Sequence, residues 1–281
     1  MQKSQLILIG GAIALVAALF IFGRTSPVAD KKAAGEAMPG QPHSVAAAKF
    51  EDILQKAKEK APAAQLAEIN SLEHAVVRGD VKTQQIAVNR KLYQIWESLN
   101  EEPVAAYYAG EAAKLENSEK SLTFAANLFF KHYGHAKDAS VMKWQAEQAV
   151  ELFDKAIALS TPPTIDSLRY YQAQILLETG EPMTAVAKLR DIVANNPDNA
   201  DAQIMLGNMA ITSGQFDKAI ERMDGFLKRN PTNAKAMFIL AEAYRSKGDK
   251  DKAIELFKQC RELIADPTLG AEIDNYIKSI K

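Results

Sequence analysis

The residues best suited to chemistry in this chain are four histidines and a single cysteine. His132 and His135 are three residues apart, a spacing that lets two imidazoles on one helix bind the same metal ion. The Tyr133-Gly134 pair between them predicts a helix end, however, and neither a cysteine nor an HExxH pattern accompanies them. A histidine in the last turn of a helix more often interacts with the helix dipole. We therefore interpret the pair as structural, and the sequence predicts no metal site.

The other candidates for catalysis are equally weak. Cys260 occupies a position that recurs along the chain, and we interpret it as a small buried hydrophobic residue, because a redox thiol would need exposure. His43 lies in a segment rich in proline and glycine, and His74 is isolated on a predicted helix. No arrangement typical of a catalytic triad and no glycine-rich phosphate loop is present. The sequence therefore predicts no catalytic residue and no cofactor, and a protein that is not an enzyme.

The composition favours a helical protein without a nucleic-acid partner. The 281 residues are 47% hydrophobic and 7% aromatic, with only 14 glycines and a net charge of −1. Nucleic-acid binding is disfavoured, because contacts with phosphates need a clustered basic surface. Alanine, leucine, glutamate and lysine are abundant, and all four have high helix propensity. The expected fold class is all-α.

The N-terminus contains an uncharged run of 17 residues, from Leu6 to Phe22. As a helix it would be roughly 25 Å long, at the short end of what spans a bilayer. A cleaved signal peptide and an uncleaved anchor are both compatible with this run. We favour a transmembrane signal anchor at residues 1–23, because no good small-x-small cleavage site follows.

The segment after the anchor is predicted to be a flexible linker. Residues 24–44 contain three prolines and two glycines, without an apolar periodicity. The charges flanking the anchor are nearly balanced, but a short N-terminal tail with Lys3 is the usual layout of an export signal. We therefore expect a single-pass protein of the bacterial inner membrane with a periplasmic body. A cytoplasmic body is the alternative.

From Val45 onwards, apolar residues recur with helical spacing. Residues 45–118 form an N-terminal helical region, which includes a degenerate repeat at 87–118. A repeat array at 119–265 follows, and residues 266–281 form a C-terminal capping helix. Thr268 is expected to cap this last helix, which should end near Ile280.

The C-terminal half repeats itself with a period of 34 residues. Glycines are expected at the turn between two helices, where the backbone needs a positive φ. Small residues let the paired helices approach, and bulky residues fill the space between units. Prolines end the second helices. The recurring positions are Gly180, Gly214 and Gly248; Ala173, Gly207 and Ala241; Ala185, Ala219 and Ala253; Leu189, Met223 and Phe257; Ile192, Phe226 and Cys260; and Pro163, Pro197 and Pro231.

This pattern resembles the tetratricopeptide repeat (TPR), and the match is good over residues 166–265. The resemblance implies an α-α superhelix, here behind a transmembrane helix. In layout, the chain is similar to the bacterial membrane-anchored members of the family. The resemblance is specific for the fold and indicates very little about the function.

Arrays of this family usually bind a peptide or a helix in a concave groove formed by the first helix of each pair. The resemblance places Tyr170, Gln174, Leu177, Ile204, Asn208, Ile211, Phe238, Glu242 and Arg245 in that groove. The family's clamp for a C-terminal carboxylate is rejected, because Asn208 alone matches it. Tyr170, Ile204 and Phe238 instead form an apolar ladder. It could be a seam for a partner's side chains, or the N-terminal helices could cover it.

The sequence thus favours a membrane-anchored scaffold that binds another protein or peptide in this groove. The layout points to assembly or quality control of an envelope complex, as in cytochrome c maturation or translocon-associated chaperoning. The alternative is a structural subunit of a larger membrane complex, with its groove filled by its own chain. The expected partners are a polypeptide and the membrane, without nucleic acid, and oligomer formation is compatible with the sequence.

Overall fold

A computed structural model describes residues 45–75 and 80–280. The predicted anchor and linker lie outside the described residues. Within them the chain forms thirteen α-helices and one short 3₁₀ helix, without a strand. The all-α prediction is therefore confirmed for the described part. Among these helices, none combines the length and apolar character that crossing a bilayer would require.

The described residues fall into two compact units, 45–188 and 189–280, whose boundary lies within α8. The helices are α1 Phe50–Lys60, α2 Ala63–Glu73, α3 Val81–Ser98, α4 Glu102–Glu116, α5 Glu119–His132, α6 Ala139–Leu159, α7 Thr164–Glu178, α8 Pro182–Asn195, α9 Ala200–Thr212, α10 Phe216–Leu227, α11 Ala234–Lys247, α12 Lys250–Glu262 and α13 Pro267–Ile280.

The first unit is built on two helix pairs, α3–α4 and α5–α6, with α7 packed on α6. Trp96, Phe129 and Phe153 are fully buried in its core. Helix α1 lies against the second helix of each pair: the Phe50 ring stacks on Tyr107 of α4 and on Trp144 of α6. These contacts join the N-terminal helix to second helices, which are not the helices expected to form a groove.

The second unit contains the regular repeats, the α9–α10 and α11–α12 pairs followed by α13. Gly214 and Gly248 end first helices with φ values of 74° and 98°, and Gly180 has a φ of 82° in the first unit. The recurring small, bulky and shared core positions named above are buried throughout, including Cys260. The positive φ inferred for the turn glycines and the burial inferred for the small and bulky positions are therefore confirmed.

Side chains at helix N-termini fix where the helices begin. Asn199 and Asn233, one period apart, each accept a hydrogen bond from a backbone N–H of the following first turn. The predicted cap at Thr268 is wrong. Asp266 is the capping residue, because its Oδ1 accepts from the Thr268 N–H at 2.8 Å, and Pro267 occupies the first helical position.

Candidate functional site

The predicted groove residues of the first unit lie on α7. Tyr170, Gln174 and Leu177 are all half-buried there. The Tyr170 ring lies 6.4 Å from that of Tyr171, measured between centroids. These side chains therefore present part of their surface to solvent, and their role in a groove stays a prediction.

The predicted groove residues of the second unit are more enclosed. Ile204 is 5% exposed and Phe238 is 8% exposed, while Asn208 and Ile211 are half-buried. The Phe238 ring contacts Phe257 edge-on at 5.2 Å and stacks on Tyr276 at 6.4 Å. In this unit, therefore, the apolar ladder is already covered by the protein's own side chains.

The residue that covers the ladder comes from the C-terminal helix α13. The hydroxyl of Tyr276 donates a 2.6 Å hydrogen bond to Glu242, and Arg245 donates to the other oxygen of Glu242 at 2.8 Å. The Arg245 guanidinium also lies 5.9 Å from the centre of the Tyr276 ring. Burial and the neighbouring Glu242 charge raise the pKa of Tyr276, so its hydroxyl keeps its proton. Two further predicted groove residues thus interact with α13.

A second groove, which the sequence analysis missed, lies in the first unit between α3 and α5. It encloses about 470 Å³. Both walls are first helices, and the floor is formed by small residues of the second helix α4. The lining includes Tyr93 of α3, Phe124 of α5, and Ala109, Ala112 and Ala113 of α4. Small floor residues leave room for a guest side chain.

Two aromatic rings that line this α3–α5 groove contact each other. Tyr93 and Phe124 meet edge-to-face with 6.1 Å between their centroids, and Phe124 is 50% exposed. The Tyr93 hydroxyl donates to Glu97 at 2.6 Å, and burial together with this bond raises the pKa of Tyr93 to about 12. Aromatic side chains contribute strongly to interface energetics, so the exposed ring of Phe124 beside the groove is a candidate contact for a ligand.

Charged residues surround the apolar part of the α3–α5 groove. Arg90 is paired with Glu116, with 2.9 Å between a guanidinium nitrogen and a carboxylate oxygen. Lys120 also lines the groove, together with Ser118 and Ser121. The sequence offered one signal for this site: the apolar face of α3 is wider than one core contact requires. Leu92 and Trp96 of that face are buried, whereas Tyr93 is half-buried at the groove.

A larger cleft of about 960 Å³ lies beside α6, α7 and the beginning of α8. Its apolar lining includes Met142, Val150 and Leu176, and its rim carries Glu147 and Glu151. The predicted groove residues of α7 do not line it, and the lining residues from this helix are Ile175, Leu176 and Glu178. The two clefts of the first unit differ in their lining, since aromatic rings are prominent in the α3–α5 groove.

The structure also changes the interpretation of the two histidines. His132 is the last residue of α5, as predicted, and His135 lies in the 3₁₀ turn that follows. Glu102, the first residue of α4, joins them: its Oε2 lies 2.9 Å from Nδ1 of His132 and 3.1 Å from Nδ1 of His135. Burial lowers the pKa of His132, although the Glu102 charge opposes this effect. Sequence reasoning missed Glu102, because thirty residues separate it from His132.

Residues 176–231 and residues 204–267 match the tetratricopeptide repeat family. This part of the chain is therefore built from tetratricopeptide repeats, as its period predicts. No curated protein matches the chain in sequence.

Several solved structures are similar to the chain. YrrB, described as a TPR protein with an unusual peptide-binding site, is 19% identical over 76% of this chain and 100% of its own, with a TM-score of 0.45. MamA from Desulfovibrio magneticus RS-1 is 24% identical over 66% and 97%, with a TM-score of 0.46. PilW, described as a type IV pilus biogenesis factor, is 18% identical over 81% and 97%, with a TM-score of 0.47. No functional conclusion rests on these similarities.

Proposed function

We propose that this protein is a membrane-anchored scaffold of tetratricopeptide repeats that binds a segment of another polypeptide in the α3–α5 groove. The observation on which this depends is the half-exposed Phe124 ring, which contacts Tyr93 edge-to-face in a groove lined also by alanines. Aromatic side chains beside a pocket are the usual anchors of protein-protein interfaces. Stacked repeats present their first helices as an extended binding surface, so α7 with Tyr170, Gln174 and Leu177 is the proposed continuation.

The shape and charges of the groove indicate the chemistry of the ligand. A groove of about 470 Å³ beside the contacting Tyr93 and Phe124 rings suits one or two apolar side chains of a peptide. The charge of Arg90 is balanced by its ion pair with Glu116. Lys120 is therefore the cation that the groove offers to a ligand, and the groove has no cluster of positive charges. This arrangement favours a segment with an aromatic or aliphatic residue followed by an acidic or polar one. It does not favour a free C-terminal carboxylate.

Photocrosslinking in the intact cell tests this proposal. Phe124 is replaced by the photoreactive residue p-benzoylphenylalanine in one variant, and Tyr170 is replaced by it in another. The same residue is placed at Met183 as a control. Met183 is 79% exposed and lines neither cleft of the first unit. We expect one polypeptide to be crosslinked from position 124 and from position 170, and not from position 183.

A second variant distinguishes specific binding from non-specific crosslinking. Tyr93→Ala removes the lining ring that lies beside position 124 and should reduce the yield of the crosslink from that position several-fold. Equal crosslinking from positions 124 and 183, or an unchanged yield in the Tyr93→Ala variant, would reject the groove as the binding site.

The proposed location is the bacterial inner membrane, with residues 1–23 as the anchor and the body in the periplasm. This part of the proposal rests on the uncharged run at Leu6–Phe22 and on Lys3. An alkaline phosphatase fusion after Lys281 tests it, because the enzyme is active only after export. An inactive phosphatase fusion, together with an active cytoplasmic reporter at the same site, would remove any role in an envelope complex.

Within this location, the proposed task is assembly or quality control of an envelope complex, in which client polypeptides bind and leave. A structural subunit with a filled groove is the second candidate. One observation favours it: Tyr276 of α13 already binds Glu242 and covers Phe238 in the second unit. Purification from solubilised membranes distinguishes the two functions. A partner that stays bound at one copy per chain through washing supports the structural role, and a substoichiometric client supports the scaffold.

A further inference from the structure

Glu102, His132 and His135 come together because two neighbouring helices run in opposite directions. Glu102 opens α4 and His132 closes α5, so the beginning of one helix lies beside the end of the other. The 3₁₀ turn Tyr133–His135 then brings the second imidazole back to the same carboxylate. Tyr133 is buried, which anchors this turn in the core of the unit. The three side chains therefore belong to a fixed part of the fold.

The arrangement leaves one buried nitrogen without a suitable partner. A single oxygen of Glu102 lies close to Nδ1 of both histidines. Nδ1 of His132 is shielded from solvent, and within the described residues no hydrogen bond of acceptable geometry reaches it, despite the 2.9 Å separation. A buried polar atom in this situation costs free energy and calls for an explanation. Binding of a cation by the three groups would satisfy this nitrogen.

We propose that Glu102, His132 and His135 form a binding site for a divalent transition-metal ion of the Zn²⁺ type. Two imidazoles and one carboxylate are a donor set that suits zinc and chemically similar ions. The potential ligand atoms of the three residues all lie within 4.8 Å of one another.

The two distances between the carboxylate oxygen and the imidazole nitrogens are close to those around a bound ion. Ligands at about 2.0–2.2 Å from a tetrahedral ion stand roughly 3.3 Å apart. The observed oxygen-nitrogen separations of 2.9 and 3.1 Å need to open by only a few tenths of an ångström. The His135 side chain is 61% exposed, so that an ion can enter from solvent and keep a water molecule as its fourth ligand. The bound ion would join the first turn of α4 to the end of α5.

Isothermal titration of the full-length, untagged protein with Zn²⁺ tests this site, after treatment with a chelator. We expect one Zn²⁺ per chain. His135→Ala and Glu102→Gln should each weaken the affinity by at least about tenfold, because each removes one of the three protein ligands. Zn²⁺ should also raise the Tm of the wild-type protein by about 5 °C and leave the Tm of the His135→Ala variant unchanged.

A matched control uses the other two histidines of the chain. The double variant His43→Ala, His74→Ala should bind Zn²⁺ with unchanged affinity and stoichiometry. Since His135 is exposed, the circular dichroism spectrum of His135→Ala should equal that of the wild type. Co²⁺ supplies an independent readout, because a four-coordinate cobalt ion absorbs visible light intensely, and this absorption should vanish in His135→Ala. No saturable binding of Zn²⁺, equal affinity in His135→Ala, or loss of binding in the double variant would overturn the proposal.

Discussion

The two compact units differ in what happens to the aromatic side chains of their first helices. In the first unit, Phe124 on α5 is half exposed and contacts Tyr93 at the open α3–α5 groove. In the second unit, Phe238 on α11 is buried between Phe257 and Tyr276. An array of stacked pairs must cover the apolar face of its last pair, and α13 does so here. The comparison indicates that the covered unit serves stability, whereas the open groove is available to a ligand.

The units also differ in regularity. The second unit keeps the 34-residue period, with helices of 12–14 residues. In the first unit, α3 has 18 residues and α6 has 21. The α3–α5 groove and the cluster of Glu102 with two histidines both lie in this irregular unit. Repeats of equal length make the same helix-helix contacts in each pair. The longer helices of the first unit depart from this pattern, and both candidate sites lie there.

The same substitution in the two units should destabilise the protein to very different extents. Phe238→Asp places a charge in a closed apolar site and should lower the free energy of unfolding by at least about 4 kcal/mol. Phe124→Asp, at a half-exposed site where only the contact with Tyr93 is lost, should lower it by about 1 kcal/mol. Urea denaturation followed by circular dichroism measures both. Similar losses of unfolding free energy in the two variants would mean that Phe124 and Phe238 do not differ in burial.

Cys260, the only cysteine of the chain, reports on the second unit alone. Burial raises the pKa of its thiol to about 12, against about 8.5 in an unfolded chain. Above pH 8.5 the unfolded state therefore releases this proton while the native state keeps it. The contribution of the thiol to the free energy of unfolding is fully present below pH 8.5 and decreases as the pH rises. At pH 10 it should be smaller by about 2 kcal/mol.

The comparison of wild type with Cys260→Ala at pH 8 and pH 10 isolates this effect, because other titrating groups are common to both proteins. The wild type should lose more stability than the variant over this interval. An equal loss would show that the thiol is accessible in the native state. Alkylation of Cys260 should, on the same grounds, proceed only as fast as the second unit opens.

Two buried helical glycines sharpen the comparison further. A Cβ at Gly207 in the second unit would lie 3.0 Å from the terminal methyl of Met223 and 3.1 Å from Ile239, so Gly207→Ala should cost about 1–2 kcal/mol. A Cβ at Gly110 in the first unit would meet Leu152 at 3.5 Å, an ordinary contact. Gly110→Ala should therefore stabilise the protein by about 0.5–1 kcal/mol through helix propensity. Thermal denaturation of both variants would reveal a sign change, and equal signs would refute the difference in packing.

The smallest expected effect concerns two tyrosine-glutamate hydrogen bonds of equal length. Tyr276→Phe removes a 2.6 Å bond between α13 and α11 and should cost about 1 kcal/mol. Tyr93→Phe removes a 2.6 Å bond within one exposed helical turn and should cost less than about 0.5 kcal/mol. Chemical denaturation distinguishes the two. A larger loss for Tyr93→Phe would argue that the α3–α5 groove is a rigid structural contact.

Some details of the fold were predictable because their causes are local. Gly214 and Gly248 have a positive φ for the reason inferred from their spacing, and the alanines of the repeat are buried where helices approach. The cap of α13 was assigned to the wrong residue, since Asp266 and Thr268 are both good capping residues and Pro267 decides between them. Periodicity gave no indication of this choice.

The candidate sites could not be predicted to the same extent. Phe124 and Tyr93 are 31 residues apart, and nothing in their local sequence indicates that they face the same groove. Covering of Phe238 depends on Tyr276, 38 residues later, and on the packing of α13. The anchor at Leu6–Phe22 and the groove role of the nine predicted residues stay predictions.

By itself, the sequence determined the helices, their pairing and the positions that must be small, bulky or turn-forming. These properties follow from backbone propensity and from a period that repeats the same contacts between neighbours. The tertiary structure alone decided which aromatic rings are covered, which carboxylate meets the two histidines and where an open groove remains. The physical reason is that these features depend on side chains from separate helices, whose distances are set by packing and not by local spacing.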